Sequence, residues 1–339
     1  MDKIFSFLQK IAPEISPLVF FRYQILRSIH FSQPIGRRAL AEQLQVQERK
    51  IRNEVEFLKE RQLISCTASG MEISPAGQVL LWEMADYIRQ IQGLNLLEQE
   101  IAAVFPVKKV MIVPGDVDRD ETVKKDLARL TAEYLNRNLK DGSILAVTGG
   151  TTLAQVAAEL VVSSNKRDIT VIPARGGLGE EVEIQANTVA ANIAKGLGAS
   201  YRLLHVPDDL GEKAIQSISE EPRIKELLAK LAQADMVLHG IGLAEEMARR
   251  RGMTPDQIKD LLERGAVGEA FGYYFAIDGG VVHSTSSVGL QLAELKSINQ
   301  VVAVAGGRSK AAAVRAVLSN APRDVLIIDE GVASGLLER

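Results

Sequence analysis

From about residue 106 onward the chain alternates short β-branched apolar runs with helical stretches, and no other feature constrains its fold as strongly. The runs fall at 110–113, 144–147, 169–172, 203–206, 236–241, 301–305 and 325–328. Continuous apolar strands separated by helices signal a parallel sheet, because each crossover between parallel strands lays a helix on a sheet face and buries it. The expectation is a doubly wound α/β domain over 106–339, with no internal repeat. At 339 residues the chain has room for about two domains, and the first hundred residues have a different character.

An apolar-periodic segment at 20–29 is followed by the break Ser32-Gln33-Pro34 and a two-turn helix at 37–44. A second helix is expected at 48–60, with Ile51, Val55 and Leu58 on one face and charge elsewhere. Two short helices joined by the three residues Gln45-Val46-Gln47 make a helix-turn-helix. Leu63-Ile64-Ser65, the turn Thr67-Ala68-Ser69-Gly70 and Met71-Glu72-Ile73 then read as a hairpin, which adds a wing. Residues 1–74 are thus expected to be a winged helix-turn-helix.

Ser74-Pro75 is a capping hydroxyl followed by proline at a first helical position, and it predicts one linker helix over 75–105. Leu80, Met84, Tyr87, Ile91, Leu94, Ile101 and Phe105 keep a 4-3 spacing with a lapse at Glu98. That stripe is either an oligomerisation seam or a face packed on its own domain, and Gly93 weakens a continuous coiled coil.

With 46% hydrophobic and 24% charged residues the composition is that of a globular chain, which excludes disordered and collagen-like classes. No run approaches the ~18 apolar residues of a membrane span, since 15–29 is cut by Pro17 and Arg22. The order of Asp2, Lys3, Lys10, Pro13 and Glu14 does not fit an export signal. Cys66 is the single cysteine, so neither an intrachain disulfide nor a thiol metal site is expected, and a reducing cytoplasm fits best.

Residues 1–90 carry 12 Lys+Arg against 10 Asp+Glu, an excess too small to indicate nucleic acid by itself. The local pattern is more informative. In a helix-turn-helix the second helix presents its N-terminal side chains to base edges in the major groove, which singles out Arg49, Lys50, Arg52 and Asn53. Arginine matches the two acceptors of guanine and asparagine pairs with adenine, while Arg37 and Arg38 suit phosphates. The competing reading is a solvated charged face, partly neutralised by Glu48, Glu54, Glu56 and Glu60, or a winged helix that binds protein.

In the second domain, ligands are expected where strands end and helices begin. Thr148-Gly149-Gly150-Thr151-Thr152 follows one strand and opens a helix: the glycines let backbone approach an anion and the threonines add donors. It lacks the lysine of a Walker loop. Gly306-Gly307-Arg308-Ser309-Lys310 repeats the device. Arg175 stands at another strand end, Gln185 in the helix after it, and Arg249-Arg250-Arg251 and Glu269 are further candidates. Singly, each turn is as readily structural. Together they favour a ligand with two anionic groups, for which guanidinium forks are well suited.

The Gly-Gly-Thr-Thr turn resembles sugar-phosphate isomerases and glucosamine-phosphate deaminases. The deaminases' Gly-Ile-Gly-x-Asp-Gly-His stretch reads here Gly240-Ile241-Gly242-Leu243-Ala244-Glu245, without aspartate or histidine. The four histidines, His30, His205, His239 and His283, show no ligand spacing, and Asp278 reads as a turn residue. No catalytic residue, metal or cofactor is expected.

Taken along nearly its whole length, the chain resembles the SorC family of bacterial transcription regulators, most closely the glycolytic branch. The likeness rests on the winged helix at 37–56, the linker helix, Thr148 to Thr152, Ala174-Arg175-Gly176-Gly177, Gln185 and Gly306 to Lys310. The resemblance implies a cytoplasmic repressor of a glycolytic operon, a dimer or tetramer on double-stranded operator DNA, with fructose 1,6-bisphosphate as effector. Carried onto matching positions, Gly149, Gly150, Thr151, Thr152 and Lys310 would hold one phosphate. Arg175, Gln185, Arg250, Arg251 and Glu269 would take the second phosphate and the sugar. A regulator with a sugar monophosphate effector, and an isomerase or deaminase carrying a DNA-binding head, are the alternatives.

Overall fold

The computed structural model describes residues 11–161, 166–177, 181–207, 211–321 and 323–338; residues 1–10, on which part of the export reading rests, lie outside these. The chain divides into two compact units between Leu94 and Asn95.

The first unit contains α1 (Ile15–Ser32), α2 (Arg37–Gln43), α3 (Glu48–Glu60), β1 (Ile64–Cys66), β2 (Met71–Ile73), α4 (Pro75–Glu83) and α5 (Ala85–Ile91). Ile51, Val55 and Leu58 of α3 are buried with Ile25, Ile29 and Leu40, so the apolar spacing read from the sequence is the packing face. Strands β1 and β2 pair antiparallel with Ile64 opposite Ile73, and Ile35 bridges Met71 as a third wing segment. The Ser74 hydroxyl accepts from Gly77 N at 3.0 Å, capping α4 as its Ser-Pro start predicts. A Cβ on Gly77 would lie 2.0 Å from Leu63 O, so only glycine lets α4 approach the wing.

The single helix expected over 75–105 is corrected to three. Helix α4 ends at Glu83, α5 runs from Ala85, and Gly93 at φ +69° interrupts the backbone before α6 (Leu94–Val104). Leu81 and Ile88, which are not on the 4-3 stripe, are buried in the core of the first unit, with Leu80, Met84 and Ile91 half-buried against it. Glu98, the lapse in that stripe, accepts from Ile112 N at 2.8 Å.

The second unit continues with β3 (Val107–Val113), α7 (Val123–Asn138), β4 (Ile144–Val147), α8 (Thr151–Glu159), β5 (Thr170–Pro173), α9 (Ala186–Leu197), β6 (Ser200–Tyr201), α10 (Glu212–Glu220), α11 (Pro222–Leu231) and β7 (Met236–Gly240). Then follow β8 (Gly242–Leu243), α12 (Ala244–Arg250), α13 (Pro255–Glu263), β9 (Ala266–Ala270), β10 (Tyr273–Ala276), β11 (Val281–Ser284), β12 (Gln300–Ala305), α14 (Ala311–Asn320), β13 (Arg323–Asp329) and α15 (Glu330–Leu337). Among the described residues the main sheet has seven parallel strands in the order β3-β13-β12-β7-β4-β5-β6. Helices α7, α8 and α9 pack on one face through Leu127, Leu135, Val156 and Ile193, while α11 and α15 pack against β4, β13 and β3 outside that cluster. This is the doubly wound architecture anticipated from the strand rhythm.

Two details differ from expectation. The apolar run 203–206 is not a strand: β6 is Ser200–Tyr201, paired with Thr170 and Val171. Leu204 N and O are instead bound by the Asn187 side-chain amide at 2.9 and 3.0 Å. The second is an antiparallel sheet, β11-β10-β9-β8, inserted between β7 and β12. Asp278 Oδ1 accepts from Gly280 N at 2.9 Å between β10 and β11, which is the turn role expected of it.

Candidate functional site

The strand order reverses between β4 and β7, and open α/β sheets form their crevice at such a point, outside the carboxyl ends of the strands. Thr148 and Gly240 stand at these two ends. Thr148 N donates to Leu238 O at 3.1 Å, and the Thr148 hydroxyl accepts from Gly240 N at 3.3 Å. Above them lies a cavity of about 110 Å³ that opens to solvent.

All ten effector candidates from the sequence line this cavity: Gly149, Gly150, Thr151, Thr152, Arg175, Gln185, Arg250, Arg251, Glu269 and Lys310. The glycines are there for space. A Cβ on Gly149 would lie 2.5 Å from Ile184 O, and Gly150, at φ +116°, donates its N–H to Ile184 O at 2.8 Å. Gly150 is the N-cap of α8, so Thr151 and Thr152 occupy its first turn, where backbone N–H groups have no intrahelical acceptor and the dipole favours an anion.

The loop after β12 behaves differently. Gly307 N donates to Asp329 at 2.7 Å, Arg308 N to Asp116 at 3.1 Å and Ser309 N to Asp118 at 2.7 Å. The second Gly-rich turn therefore spends its backbone donors on the chain's own carboxylates, and Lys310 alone of it enters the cavity lining. Burial pushes the Lys310 pKa down and nearby Lys124 adds to this, while Glu246, Asp118 and Asp329 oppose it.

On the opposite wall, Arg251 Nη2 donates to Glu269 Oε1 at 3.0 Å and Nη1 to the Tyr274 hydroxyl at 3.2 Å. The arginine trio at 249–251 is thereby split. Arg251 is buried in this pair, Arg250 is half-buried in the lining, and exposed Arg249 pairs with Glu245 outside the cavity. Gln185 is the N-cap of α9 and not inside it. Arg175, only 6% exposed, donates Nη2 to the Thr285 hydroxyl at 3.1 Å.

Sequence reasoning missed Glu246, Glu181, Met247 and Phe271, which also line the cavity. Glu246 was legible, since it lies one helical turn before Arg250 on α12. Phe271, at φ +54° in the β9–β10 turn, carried no signal in the sequence.

His239 is a core residue. Its Nδ1 is 3.0 Å from Gly240 O, so the ring donates there and its Nε2 accepts from Arg323 Nε at 3.2 Å. Burial and the Arg323 charge push its pKa down to about 3. Among the described residues no cluster of His, Cys, Asp or Glu is arranged to hold a metal, and no helix is long and apolar enough to cross a membrane.

In the first unit, Arg49, Lys50, Arg52 and Asn53 are exposed on the first two turns of α3, and Arg37 and Arg38 are exposed where α2 begins. Lys50 Nζ sits 4.1 Å from the Phe21 ring centre, Arg52 pairs with Glu48 at 3.6 Å and Arg37 with Glu56 at 3.9 Å. At such exposure these pairs hold little energy and yield readily to a polyanion.

Comparison with known proteins adds the family. Residues 19–88 match the family described as "CggR N-terminal DNA binding domain", and residues 89–338 match "Putative sugar-binding domain". The chain is 41% identical over 337 residues to the central glycolytic genes regulator of Bacillus subtilis, and 44% identical over 338 residues to that of Priestia megaterium, covering 99% of both chains in each case. A SorC family transcriptional regulator from Enterococcus faecalis aligns with TM-score 0.67 and 40% identity over 72% of this chain and 100% of that one. The full-length sorbitol operon regulator SorC of Klebsiella pneumoniae shares the fold, with TM-score 0.66 and 20% identity over 92% of this chain and 96% of that one. With exposed cations on the first two turns of α3 in one unit, a lined cavity in the other and relatives of this kind, the chain belongs to the SorC family of DNA-binding transcriptional regulators, a family of regulators and not of enzymes.

Proposed function

We propose that the chain is a cytoplasmic repressor of a glycolytic operon, released from its operator when fructose 1,6-bisphosphate enters the cavity. The full-length likeness to two central glycolytic genes regulators supports the operon class. The observation that carries the effector class is the convergence of Arg175, Arg250, Arg251 and Lys310 with the α8 N-terminus on one cavity. Residues Gly149, Gly150, Thr151, Thr152 and Lys310 take one phosphate. Arg175, Gln185, Arg250, Arg251 and Glu269 take the other phosphate and the sugar hydroxyls.

Residues 1–74 bind DNA, 75–105 connect and oligomerise, and 106–339 bind the effector. Two-fold assemblies match near-palindromic operators, which makes a dimer or tetramer the working form. The bisphosphate acts by linkage: binding better to a form whose DNA heads are wrongly spaced weakens operator binding by the same coupling free energy.

A sugar monophosphate effector is the second reading, favoured by the engagement of Arg251 with Glu269 and Tyr274. Calorimetric titration of the full chain with fructose 1,6-bisphosphate and fructose 6-phosphate separates the two. Tighter binding of the bisphosphate supports the first reading, and equal or weaker binding supports the second.

A further inference from the structure

The seat of Arg175 is built by a part of the chain outside the cavity lining. Residues 288–290 run antiparallel beside 174–176: Gly176 N donates to Val288 O at 3.0 Å, Leu290 N donates to Ala174 O at 2.8 Å, and Arg175 bridges Gly289. At the start of this strap Thr285 N donates to Gly272 O at 2.9 Å. The Thr285 hydroxyl donates to the same carbonyl at 3.2 Å and accepts from Arg175 Nη2 at 3.1 Å. With its proton committed to Gly272 O, the hydroxyl turns a lone pair to the guanidinium. Gly272, at φ +79°, completes the seat, because a Cβ there would lie 1.9 Å from Arg175 Nη1.

We propose that Thr285 is a positioning residue that holds the Arg175 fork toward the second anionic group of the ligand, and so sets the preference for a bisphosphate over a monophosphate. The proposal rests on the reading of the cavity as a sugar-bisphosphate site. Thr285 acts through Arg175, since it is not among the lining residues. A planar fork already held by the Thr285 hydroxyl loses less freedom when the anion arrives. Thr285→Val keeps the side-chain shape and the backbone bond to Gly272 O, and removes only the hydroxyl.

The test is calorimetric titration of the full chain, as wild type, Thr285→Val, Thr285→Ser and Gly272→Ala, with fructose 1,6-bisphosphate and with fructose 6-phosphate. Thr285→Val is expected to lose about tenfold or more in bisphosphate affinity while monophosphate affinity stays within about twofold, as for loss of a hydrogen bond to a charged group. Thr285→Ser restores the preference, and Gly272→Ala reproduces the loss. A wild type with no preference for the bisphosphate overturns the underlying reading and this proposal with it. A wild-type preference that survives in Thr285→Val, an equal loss on both ligands, or a serine variant no better than valine overturns the positioning role alone.

Discussion

Arg251 Nη2 meets Glu269 Oε1 at 3.0 Å with the two side chains only 5% and 7% exposed, an ion pair withdrawn from water in the wall of the cavity. Removing one partner of a buried pair leaves an uncompensated charge, which costs roughly 3–5 kcal/mol. Glu269→Ala is therefore expected to destabilise the protein by about 3 kcal/mol or more, read as a lower denaturant midpoint, whether or not ligand is added.

His239 gives the fold a pH signature. Its pKa falls from 6.5 to about 3 in the folded protein, so the unfolded chain binds a proton that the folded chain refuses. The stability contribution is full above pH 6.5 and is lost progressively as pH falls toward 3. Between pH 7.5 and 5.5 this one group withdraws about 1.4 kcal/mol of unfolding free energy. In His239→Asn the pH dependence over that interval is expected to flatten, with lower stability at neutral pH because Arg323 Nε loses its acceptor.

With a phosphate in the cavity as proposed, Lys310 links ligand binding to protons. Burial pulls its pKa down, and an arriving phosphate replaces lost solvation with an opposite charge, which raises it again. Anion binding is accordingly strongest where Lys310 is already charged. Affinity falls as pH rises through the depressed free-state pKa, with proton uptake detectable from titrations in buffers of different ionisation enthalpy. Glu246 supports the Lys310 charge, and from the same lining it would repel an anion bound there. Removing that repulsion in Glu246→Gln is expected to tighten phosphate binding severalfold near neutral pH, and Lys310→Ala to abolish most of it.

On the proposed DNA-binding reading, the exposed cations of the first unit divide by role. Arg37→Ala and Arg38→Ala are each expected to weaken binding uniformly across sequences and to lower the salt slope by about 1, the signature of a phosphate contact. Loss of a base contact in Arg49→Ala, Arg52→Ala or Asn53→Ala costs about 1–3 kcal/mol and relaxes preference at one position. Competition binding over a set of operator variants at two salt concentrations separates these outcomes.

The winged helix was legible because Ile51, Val55 and Leu58 state a helix face, and Gly70 and Ser74-Pro75 mark the turn and the next helix start. The cavity was legible at the loops that follow β4, β5 and β12, whereas Arg250 and Arg251 come from the end of a helix and Glu269 from within β9. The inserted sheet was not, since β9 reads Ala-Val-Gly-Glu-Ala, with a glycine and a carboxylate where a strand signal needs branched side chains. Gly268 is explained only in three dimensions, where a Cβ would lie 2.7 Å from Ala313 Cα. The run 203–206 misled in the opposite sense: Leu204 and Val206 are buried, but Asn187 takes the hydrogen bonds that a neighbouring strand would supply. In the 75–105 stripe the apolar spacing continues through Gly93, while the backbone turns there.

The most direct test of the whole reading is the anisotropy of labelled operator DNA bound to the full chain at fixed salt, titrated with fructose 1,6-bisphosphate and in parallel with fructose 6-phosphate. Salt is fixed because phosphate contacts make affinity steeply salt-dependent. The account predicts that the bisphosphate alone weakens operator binding, by about 5–150-fold for a typical coupling of ~1–3 kcal/mol, and that Arg175→Ala abolishes the response. Operator binding that neither sugar alters, or that fructose 6-phosphate alters equally, contradicts it.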